Sequence, residues 1–246
     1  MITGGGRGIG RALALGFLRA GARVAVLTRG DPPDFELARS DQERFCLVLG
    51  DVTMEPDVRA AIEMFVDRFG RIDVLINNAG INRIAAFADA DFGEWAGVID
   101  VNLKGTALVT HRVLPLMIKE RYGRIINVVS RSAEDPVRGR TAYSASKAGV
   151  IAFTKVLARE LAEMKDCDIL VNGLIPGSTR TNMQTKVGQD PEMVFPFCRK
   201  LAELPAGGPN GRFFWKGRDY PMYSRFNLDA QRPKRYWAHL PSWFRR

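Results

Sequence analysis

Short apolar runs alternate with longer stretches of helical periodicity up to about residue 175 of the chain. The apolar runs are rich in Val, Ile and Leu and end in Gly, Asn, Asp or Ser: ARVAVLTR, FCLVLGDVT, IDVLINNAG, GRIINVVS and DILVNGLIPG. Between them, helical patterns cover residues 7–20, 55–69, 92–121 and 142–164. Because apolar strands that alternate with helices are typical of parallel sheets covered on both faces, the pattern predicts an α/β fold with a doubly wound parallel sheet.

The pattern weakens after about residue 185. Pro and Gly surround one predicted strand at residues 212–216, and the helix expected between residues 185 and 205 is short. The last residues mix arginine, proline and tryptophan without a clear period. We therefore predict a single Rossmann-like domain over residues 1–224, followed by a basic, aromatic and irregular tail over residues 225–246.

A glycine-rich turn, TGGGRGIG, occupies residues 3–10, where the first predicted helix begins. Its glycines do not match the GxGxxG pattern, but the physical argument is similar. Glycine permits positive φ angles and a close approach of the backbone to a phosphate, and the following helix presents free N–H groups. The turn predicts a dinucleotide site that includes Gly4, Arg7, Gly8 and Gly10; an ordinary glycine-rich strand–helix turn is the alternative.

Arg29 follows the second predicted strand, where the adenosine ribose would lie in a dinucleotide fold. Folds that prefer NAD usually place a carboxylate there, whereas an arginine suits the 2′-phosphate of NADP. Thr28 and Arg29 offer no carboxylate, and the nearest one is Asp31. With Arg7 as a second cation, we predict a preference for NADP, with NAD possible. In the alternative, Arg29 merely begins a solvated loop.

A tyrosine, a lysine and a serine in GRIINVVSRSAEDPVRGRTAYSASKAG indicate acid–base chemistry. Tyr143 and Lys147 are four residues apart in a predicted helix, so they share one face. An ammonium beside a phenol lowers the phenol pKa, and we expect Lys147 to do so for Tyr143. Ser130 ends the preceding strand and is expected to donate a hydrogen bond to a carbonyl or alkoxide, with Ser132 as a less well spaced competitor. We interpret His111 as a packing or surface residue.

The chain resembles the short-chain dehydrogenase/reductase family in the order and spacing of its motifs. These are TGGGRGIG at residues 3–10, DVT at 51–53, NNAG at 77–80, VNLKG at 101–105, the serine at 130, YSASK at 143–147 and PGSTRT at 176–181. The resemblance covers residues 1 to about 183. It implies an oxidoreductase in which a hydride moves between NADP(H) and a carbonyl or alcohol substrate.

The resemblance implies roles for four side chains. Tyr143 passes a proton to or from the substrate oxygen, and Ser130 orients and polarises the carbonyl. Lys147 lowers the pKa of the tyrosine and holds the nicotinamide ribose. Asn102 holds a water that links Lys147 to solvent.

The cofactor contacts follow in the same way. Asp51 and Val52 are expected at the adenine, Asn78 beside the adenosine ribose, and residues 176–181 over the nicotinamide. The full set of expected cofactor-binding residues is Gly4, Arg7, Gly8, Ile9, Gly10, Arg29, Asp51, Val52, Asn78, Tyr143, Lys147, Pro176, Gly177, Thr179 and Thr181.

The chain departs from the family at both ends. Members place several apolar residues before the threonine of the glycine turn, whereas only Met1 and Ile2 precede Thr3 here, so the mid-sheet first strand is truncated. A half-strand in the centre of a sheet lowers the stability of the fold, because it leaves part of the core exposed. We interpret it as a start codon assigned too late or a fragmentary gene record; the alternative is a natural truncation with a weakened or absent cofactor site. The tail is foreign to the family.

Composition and charge favour some classes of partner and disfavour a membrane span and a structural metal site. A net charge of +9 and a pI near 9.8 favour phosphate-bearing partners or a well-solvated surface, without establishing a nucleic-acid binder. No stretch approaches the ~20 apolar residues of a membrane span. The cysteines Cys46, Cys167 and Cys198 match no CxxC spacing, so we expect free thiols in the cytoplasm and no structural metal. The family resemblance implies a homodimer or homotetramer through residues 92–121 and 142–164.

Three classes of function stay open at this point. The first is an oxidoreductase acting on a small carbonyl or alcohol substrate. The second is a non-catalytic relative that binds nucleotide or a protein partner, which the truncated strand would favour. The third is a binder of nucleic acid or an anionic surface through the basic tail. A sugar epimerase or dehydratase is disfavoured by the glycine pattern and the chain length.

Overall fold

A single sheet forms the centre of the computed structural model, which describes residues 1–30, 35, 37–181 and 188–223. Its strands are β1 Ile2–Thr3, β2 Val24–Thr28, β3 Phe45–Leu49, β4 Val74–Asn77, β5 Tyr122–Val128, β6 Asp168–Ile175, β7 Phe213–Trp215 and β8 Arg218–Asp219. They are ordered β3-β2-β1-β4-β5-β6-β7-β8, and every neighbouring pair is parallel except β7 and β8. The predicted doubly wound sheet is confirmed, and the short antiparallel β8 is an addition that the pattern did not predict.

Helices cover both faces of the sheet. They are α1 Gly8–Arg19, α2 Arg39–Gln42, α3 Glu55–Phe69, α4 Phe92–Ile99, α5 Gly105–Lys119, α6 Thr141–Ala162 and α7 Phe195–Ala202. Leu13 of α1 and Leu201 of α7 belong to one buried cluster. Val58 of α3, Val109 of α5 and Leu157 of α6 belong to another. Each face of the sheet therefore has its own apolar core, as the near-continuous apolar strands require.

Local sequence explains where several helices begin and end. α3 has Pro56 in its first turn, where a missing N–H is tolerated, and it ends at Gly70 with φ 85°. α4 begins after Asp91, whose carboxylate accepts a hydrogen bond from the Glu94 N–H at 2.8 Å. A π-helical turn, Asp100–Lys104, separates α4 from α5. The single regular helix expected over residues 92–121 is therefore wrong in its middle.

The first strand is short at a central position of the sheet. Ile2 pairs with Val26 of β2 and with Ile76 of β4, and both neighbouring strands continue past the amino end of β1. A cavity of about 340 Å³ lies at that end and is lined mostly by apolar side chains. The first strand is thus shorter than both strands with which it pairs.

The amino group of Met1 lies in this gap and donates a hydrogen bond to the Val74 carbonyl at 2.8 Å. Desolvation lowers the pKa of this amine from 8.0 to about 5, against a smaller opposing effect of Asp73. Between these values the unfolded chain binds a proton that the folded chain does not bind. The free energy of unfolding should therefore rise by about 4 kcal/mol from pH 5 to pH 8 through this group, and fall again on acidification.

Urea denaturation at a series of pH values between 5 and 8 measures this dependence. The matched control is the same chain with an acetylated α-amino group, which keeps an N–H but cannot be charged. We expect a weaker pH dependence for the acetylated chain over this interval. Identical pH profiles for the two chains would contradict the assignment.

Arg124 is a fully buried cation that ties β5 to two other segments. Its guanidinium donates hydrogen bonds to the carbonyl groups of Gly123, Asp168 and Leu204 at 2.8–3.0 Å and to the Asp168 carboxylate at 2.7 Å. The ring of Tyr122 lies 4.4 Å from the guanidinium carbon. Because Leu204 follows α7, these bonds join the carboxyl-terminal helix to the sheet.

The carboxyl-terminal part agrees with the sequence pattern as far as it is described. The helix α7 is short, and β7 lies within the strand predicted for residues 212–216. The predicted tail at residues 225–246 lies outside the described residues. Over the described ranges, no helix is long and apolar enough to cross a membrane, and no group of His, Cys, Asp and Glu side chains could hold a metal ion.

Candidate active site

The glycine turn has the backbone geometry of an anion site. Gly4 and Gly8 have φ angles of 64° and 53°, which disfavour other residues. A Cβ on Gly10 would lie 2.3 Å from the Gly4 carbonyl oxygen, so α1 can begin this close to the turn only with glycine there. Arg7 precedes α1 without a side-chain capping hydrogen bond. The first N–H groups of α1 can therefore face a phosphate.

Thr3 and Asn78 brace this turn from the ends of β1 and β4. The Thr3 hydroxyl accepts hydrogen bonds from the N–H groups of Asn78 and Ala79, both at 3.1 Å. The Asn78 amide donates to the carbonyl groups of Thr3 and Gly4 at 3.0 and 3.1 Å. The structure thus gives Asn78 a supporting function that the sequence did not reveal. Its contact with the adenosine ribose stays a prediction.

Arg29 and Asp51 form an ion pair where β2 and β3 end. Their closest atoms, Nη1 and Oδ2, are 3.0 Å apart, and the Arg29 side chain is 64% exposed. The backbone N–H and hydroxyl of Thr53 donate to the other carboxylate oxygen of Asp51. Burial alone would raise the pKa of Asp51, but the bonds from Thr53 and Arg29 together hold it below its usual value. Asp31, the other nearby carboxylate in the sequence, lies outside the described residues.

Ser130, Tyr143 and Lys147 come together beside the carboxyl ends of the strands. Ser130 follows β5, and its hydroxyl is hydrogen-bonded to the Tyr143 phenol. The Lys147 ammonium donates to the Val128 carbonyl at 2.7 Å and lies 5.9 Å from the centre of the Tyr143 ring. The competitor Ser132 supports Ser130 through its backbone N–H, which donates to the Ser130 hydroxyl at 3.1 Å.

Burial is the largest influence on the electrostatics of Tyr143 and Lys147. Burial raises the pKa of the phenol above 10, while the bond to Ser130 and the charge of Arg140 lower it by less. Burial also lowers the pKa of the Lys147 ammonium to about 8. Desolvation of the phenol is thus the largest influence on its pKa, and the lowering of this pKa by Lys147 stays a prediction.

Asn102 lies in the π-helical turn between α4 and α5 and is completely buried. Its side chain exchanges two hydrogen bonds with the backbone of Ile81, at 2.8 and 3.0 Å, and donates to the Ser146 hydroxyl at 3.0 Å. Ser146 in turn donates to the Tyr143 carbonyl at 2.8 Å. Sequence reasoning missed Ser146, whose only signal was its place inside the YSASK motif. The water that Asn102 is expected to hold stays a prediction.

The segment at residues 176–181 reaches the glycine turn. Gly177 has a φ angle of 77°, and the Thr179 hydroxyl donates to the Gly177 carbonyl at 3.3 Å. A Cβ on Gly8 would lie 3.1 Å from the Thr181 methyl carbon. The Gln189 amide holds the segment by donating to the Pro176 carbonyl at 2.7 Å. Two parts of the predicted cofactor site are therefore adjacent.

Other predicted cofactor residues serve partly as packing. Val52 is buried, and its side chain lies against Gly105 at the start of α5. Ile9 is partly buried against the core under α1. Arg7 is exposed, and so is His111 on α5, in agreement with the surface interpretation of that histidine.

The comparisons with known proteins all indicate the same family. A family model described as short chain dehydrogenase matches residues 1–192. The chain is 38% identical over 200 residues to a 3-oxoacyl-[acyl-carrier-protein] reductase of Synechocystis sp., with 79% of each chain covered. It is 37% identical over 195 residues to an acetoacetyl-CoA reductase of Acinetobacter sp., with 77% of each covered. A crystal structure of a 3-ketoacyl-(acyl-carrier-protein) reductase from Brucella melitensis complexed with NADH superimposes with a TM-score of 0.78, at 29% identity, covering 87% of this chain and 93% of that one.

Proposed function

The chain belongs to the short-chain dehydrogenase/reductase family, and we propose that it reduces a carbonyl substrate with a nicotinamide cofactor, using Tyr143 as the proton donor. It is an NAD(P)-dependent oxidoreductase. The observation that carries the residue assignment is the cluster of Ser130, Tyr143 and Lys147 beside the carboxyl edge of the sheet.

Each of the site residues has its own role in the proposed carbonyl reduction. A nicotinamide cofactor held by the glycine turn and residues 176–181 would supply the hydride for the carbonyl carbon. Ser130 donates a hydrogen bond to the substrate oxygen, where negative charge develops. Tyr143 transfers its proton to that oxygen, and its raised pKa keeps the phenol protonated at neutral pH. The Lys147 ammonium, anchored on the Val128 carbonyl, lies beside the phenol ring as the proton leaves.

Carbonyl reduction agrees with the activities for which the relatives are named, 3-oxoacyl-[acyl-carrier-protein] reductase and acetoacetyl-CoA reductase. The alternative of a non-catalytic relative has no support, since Asn102, Ser130, Tyr143 and Lys147 are all present and assembled.

The direct test is the loss of nicotinamide absorbance when the purified chain is mixed with NADPH and ethyl acetoacetate. Tight binding of NADPH without turnover of any ketone would oppose the proposal.

We propose that the cofactor is NADP rather than NAD. The support is the position of Arg29 after β2, with its guanidinium mostly exposed, and the second exposed cation Arg7 in the glycine turn. Arg29 is held by Asp51 through Nη1, so its other N–H groups can turn to a 2′-phosphate. In this arrangement Asp51 positions the arginine.

Replacing Arg29 with glutamine should weaken NADPH binding roughly 10–100-fold, because charge-assisted hydrogen bonds to the phosphate are lost. NADH, which lacks the phosphate, should bind almost unchanged. The measurement is a fluorescence titration with each nucleotide. Arg23→Gln is the matched control, since Arg23 is an exposed arginine before the opposite end of β2. An unchanged ratio of the two affinities in Arg29→Gln would refute the phosphate assignment.

We also propose a homodimer or homotetramer that uses α5 and α6, and a cytoplasmic location. The support for the interface is the exposed apolar side chain of Val156 on α6. The support for the location is that the cysteines are free. We keep residues 225–246 as an accessory tail separate from the catalytic domain.

A further inference from the structure

Residues 220–223, which follow β8 and form what we call the clamp segment, pack beside the loop that follows Ser130. Met222 of the clamp segment is buried. It belongs to one apolar cluster with Val129, the residue before Ser130, and with Ile151 of α6. The clamp segment is therefore fixed on the part of the core that supports the candidate active site.

Tyr223 joins the clamp segment to this loop by polar contacts. Its backbone N–H donates a hydrogen bond to the Glu134 carboxylate, and its hydroxyl lies 3.5 Å from the Ala133 carbonyl oxygen. Tyr223 has a φ angle of 60°, which is unfavourable for a residue with a Cβ atom. Such a conformation persists only where surrounding contacts hold it, and a hydrogen bond to a carboxylate is a strong one.

Lys155 of α6 holds the other side of the clamp segment. Its ammonium donates a hydrogen bond to the Met222 carbonyl at 3.3 Å and lies 5.7 Å from the centre of the Tyr223 ring. Because α6 also carries Tyr143, the clamp segment joins the catalytic helix to the loop after Ser130.

The loop transmits this restraint to the Ser130 hydroxyl. Ser130 precedes the 3₁₀ turn Arg131–Ala133, and its hydroxyl accepts a hydrogen bond from the Ser132 N–H at 3.1 Å. The Glu134 N–H donates to the Arg131 carbonyl at 2.9 Å and so closes the same turn. Displacement of Glu134 would open the turn and withdraw the donor that orients the Ser130 hydroxyl.

We propose that Glu134 is a positioning residue, which fixes the Ser130 hydroxyl for carbonyl reduction by holding the loop after β5 against the clamp segment. This inference rests on the proposed carbonyl reduction and adds a residue that acts through Ser130. Asp135 is the matched control, because it is the adjacent carboxylate on the same loop and its side chain is exposed.

The first experiment measures the loop without turnover. Backbone hydrogen exchange of the full chain is followed by NMR at the Ser132 N–H. We expect Glu134→Ala to raise the exchange rate roughly tenfold or more, because the bond to the Ser130 hydroxyl opens more often. Glu134→Gln keeps an acceptor for the Tyr223 N–H and should restore most of the protection, and Asp135→Ala should leave the rate unchanged. Equal rates in all of these proteins would overturn the inference.

The second experiment measures kcat and KM for ethyl acetoacetate with NADPH. Glu134→Ala should lower kcat roughly tenfold and leave KM nearly unchanged, since a small displacement of a catalytic group has an effect of this size. In a Ser130→Ala background the same change should have no further effect, because the hydroxyl that Glu134 positions is absent. An equal loss in both backgrounds, or an equal loss in Asp135→Ala, would indicate a general structural effect and overturn the inference.

The two experiments separate this inference from the proposed function. If the unaltered protein reduces the ester and Glu134→Ala has an unchanged kcat, only the inference fails. If no ester is reduced but the Ser132 N–H exchanges faster in Glu134→Ala, the link between Glu134 and Ser130 stands and the proposed function fails. If Glu134→Ala does not fold, Glu134→Asp withdraws the carboxylate by one methylene and should give a smaller loss of kcat, again absent in the Ser130→Ala background.

Discussion

Tyr143→Phe should reduce the rate of carbonyl reduction by about 10²–10⁴-fold, the range that a positioned proton donor contributes. Phenylalanine keeps the ring and removes only the hydroxyl, which is the group hydrogen-bonded to Ser130. The Lys147 ammonium stays anchored on the Val128 carbonyl, and the glycine turn does not involve this ring. Binding of NADPH should therefore change little. The measurements are steady-state kinetics and a nucleotide titration on the same preparation.

Tyr122→Phe is the matched control for this experiment. Tyr122 begins β5, at the opposite end of the strand from Ser130, and its ring packs against Arg124. Removing this second hydroxyl should leave turnover unchanged. Substantial activity in Tyr143→Phe, or an equal loss in both variants, would show that Tyr143 is not the proton donor.

Arg124→Met should destabilise the fold by about 3–5 kcal/mol, the cost of breaking a buried, hydrogen-bonded ion pair. Methionine keeps an unbranched apolar side chain but leaves the Asp168 carboxylate and the Leu204 carbonyl without the donors they have now. For a chain of this size the melting temperature should fall by roughly 10 °C. Urea denaturation of the two proteins measures the difference directly.

Arg71→Met is the control for Arg124→Met. Arg71 also forms ion pairs, with Asp73 and Glu120, but its side chain is 45% exposed, against 2% for Arg124. An exposed pair contributes about 0–1 kcal/mol, so this change should have a small effect. If Arg124→Met does not fold, Arg124→Lys keeps the charge and tests the loss of the multiple hydrogen bonds. Equal stabilities of Arg124→Met and Arg71→Met would contradict the structural role assigned to Arg124.

The position of most secondary structure could be predicted because its signals are local. The helix at residues 55–69 was predicted at the bounds it has, since Pro56 and Gly70 mark its two ends in the sequence itself. The interruption of the helix at residues 92–121 could not be predicted in this way. It coincides with Asn102, whose buried side chain bonds to Ile81 and Ser146, and those partners are brought near only by the fold.

The pKa values of the site residues depend on how deeply their side chains are buried. The spacing of residues in the sequence does not show burial. The YSASK motif predicts that Tyr143 and Lys147 share a helix face, and they do. Burial raises the pKa of Tyr143, because desolvation of the phenol outweighs the hydrogen bond to Ser130 and the charge of Arg140, and the spacing of the motif does not show this. Likewise, Arg29 and Asp51 were assigned to different parts of the cofactor, and only the neighbouring ends of β2 and β3 place them in one ion pair.

The sequence by itself determined the alternation of strands and helices and the family, and it predicted which residues are catalytic. These follow from periodicity and from residue types at short spacings, which depend on neighbours along the chain. The tertiary structure alone decided which charges are paired and which polar groups are buried. Arg124 illustrates the difference: in the sequence it is one of many arginines, and only the pairing of β5 with β6 buries its guanidinium against the Asp168 carboxylate. Desolvation and long-range contact are properties of the folded chain, so no local pattern in the sequence reports them.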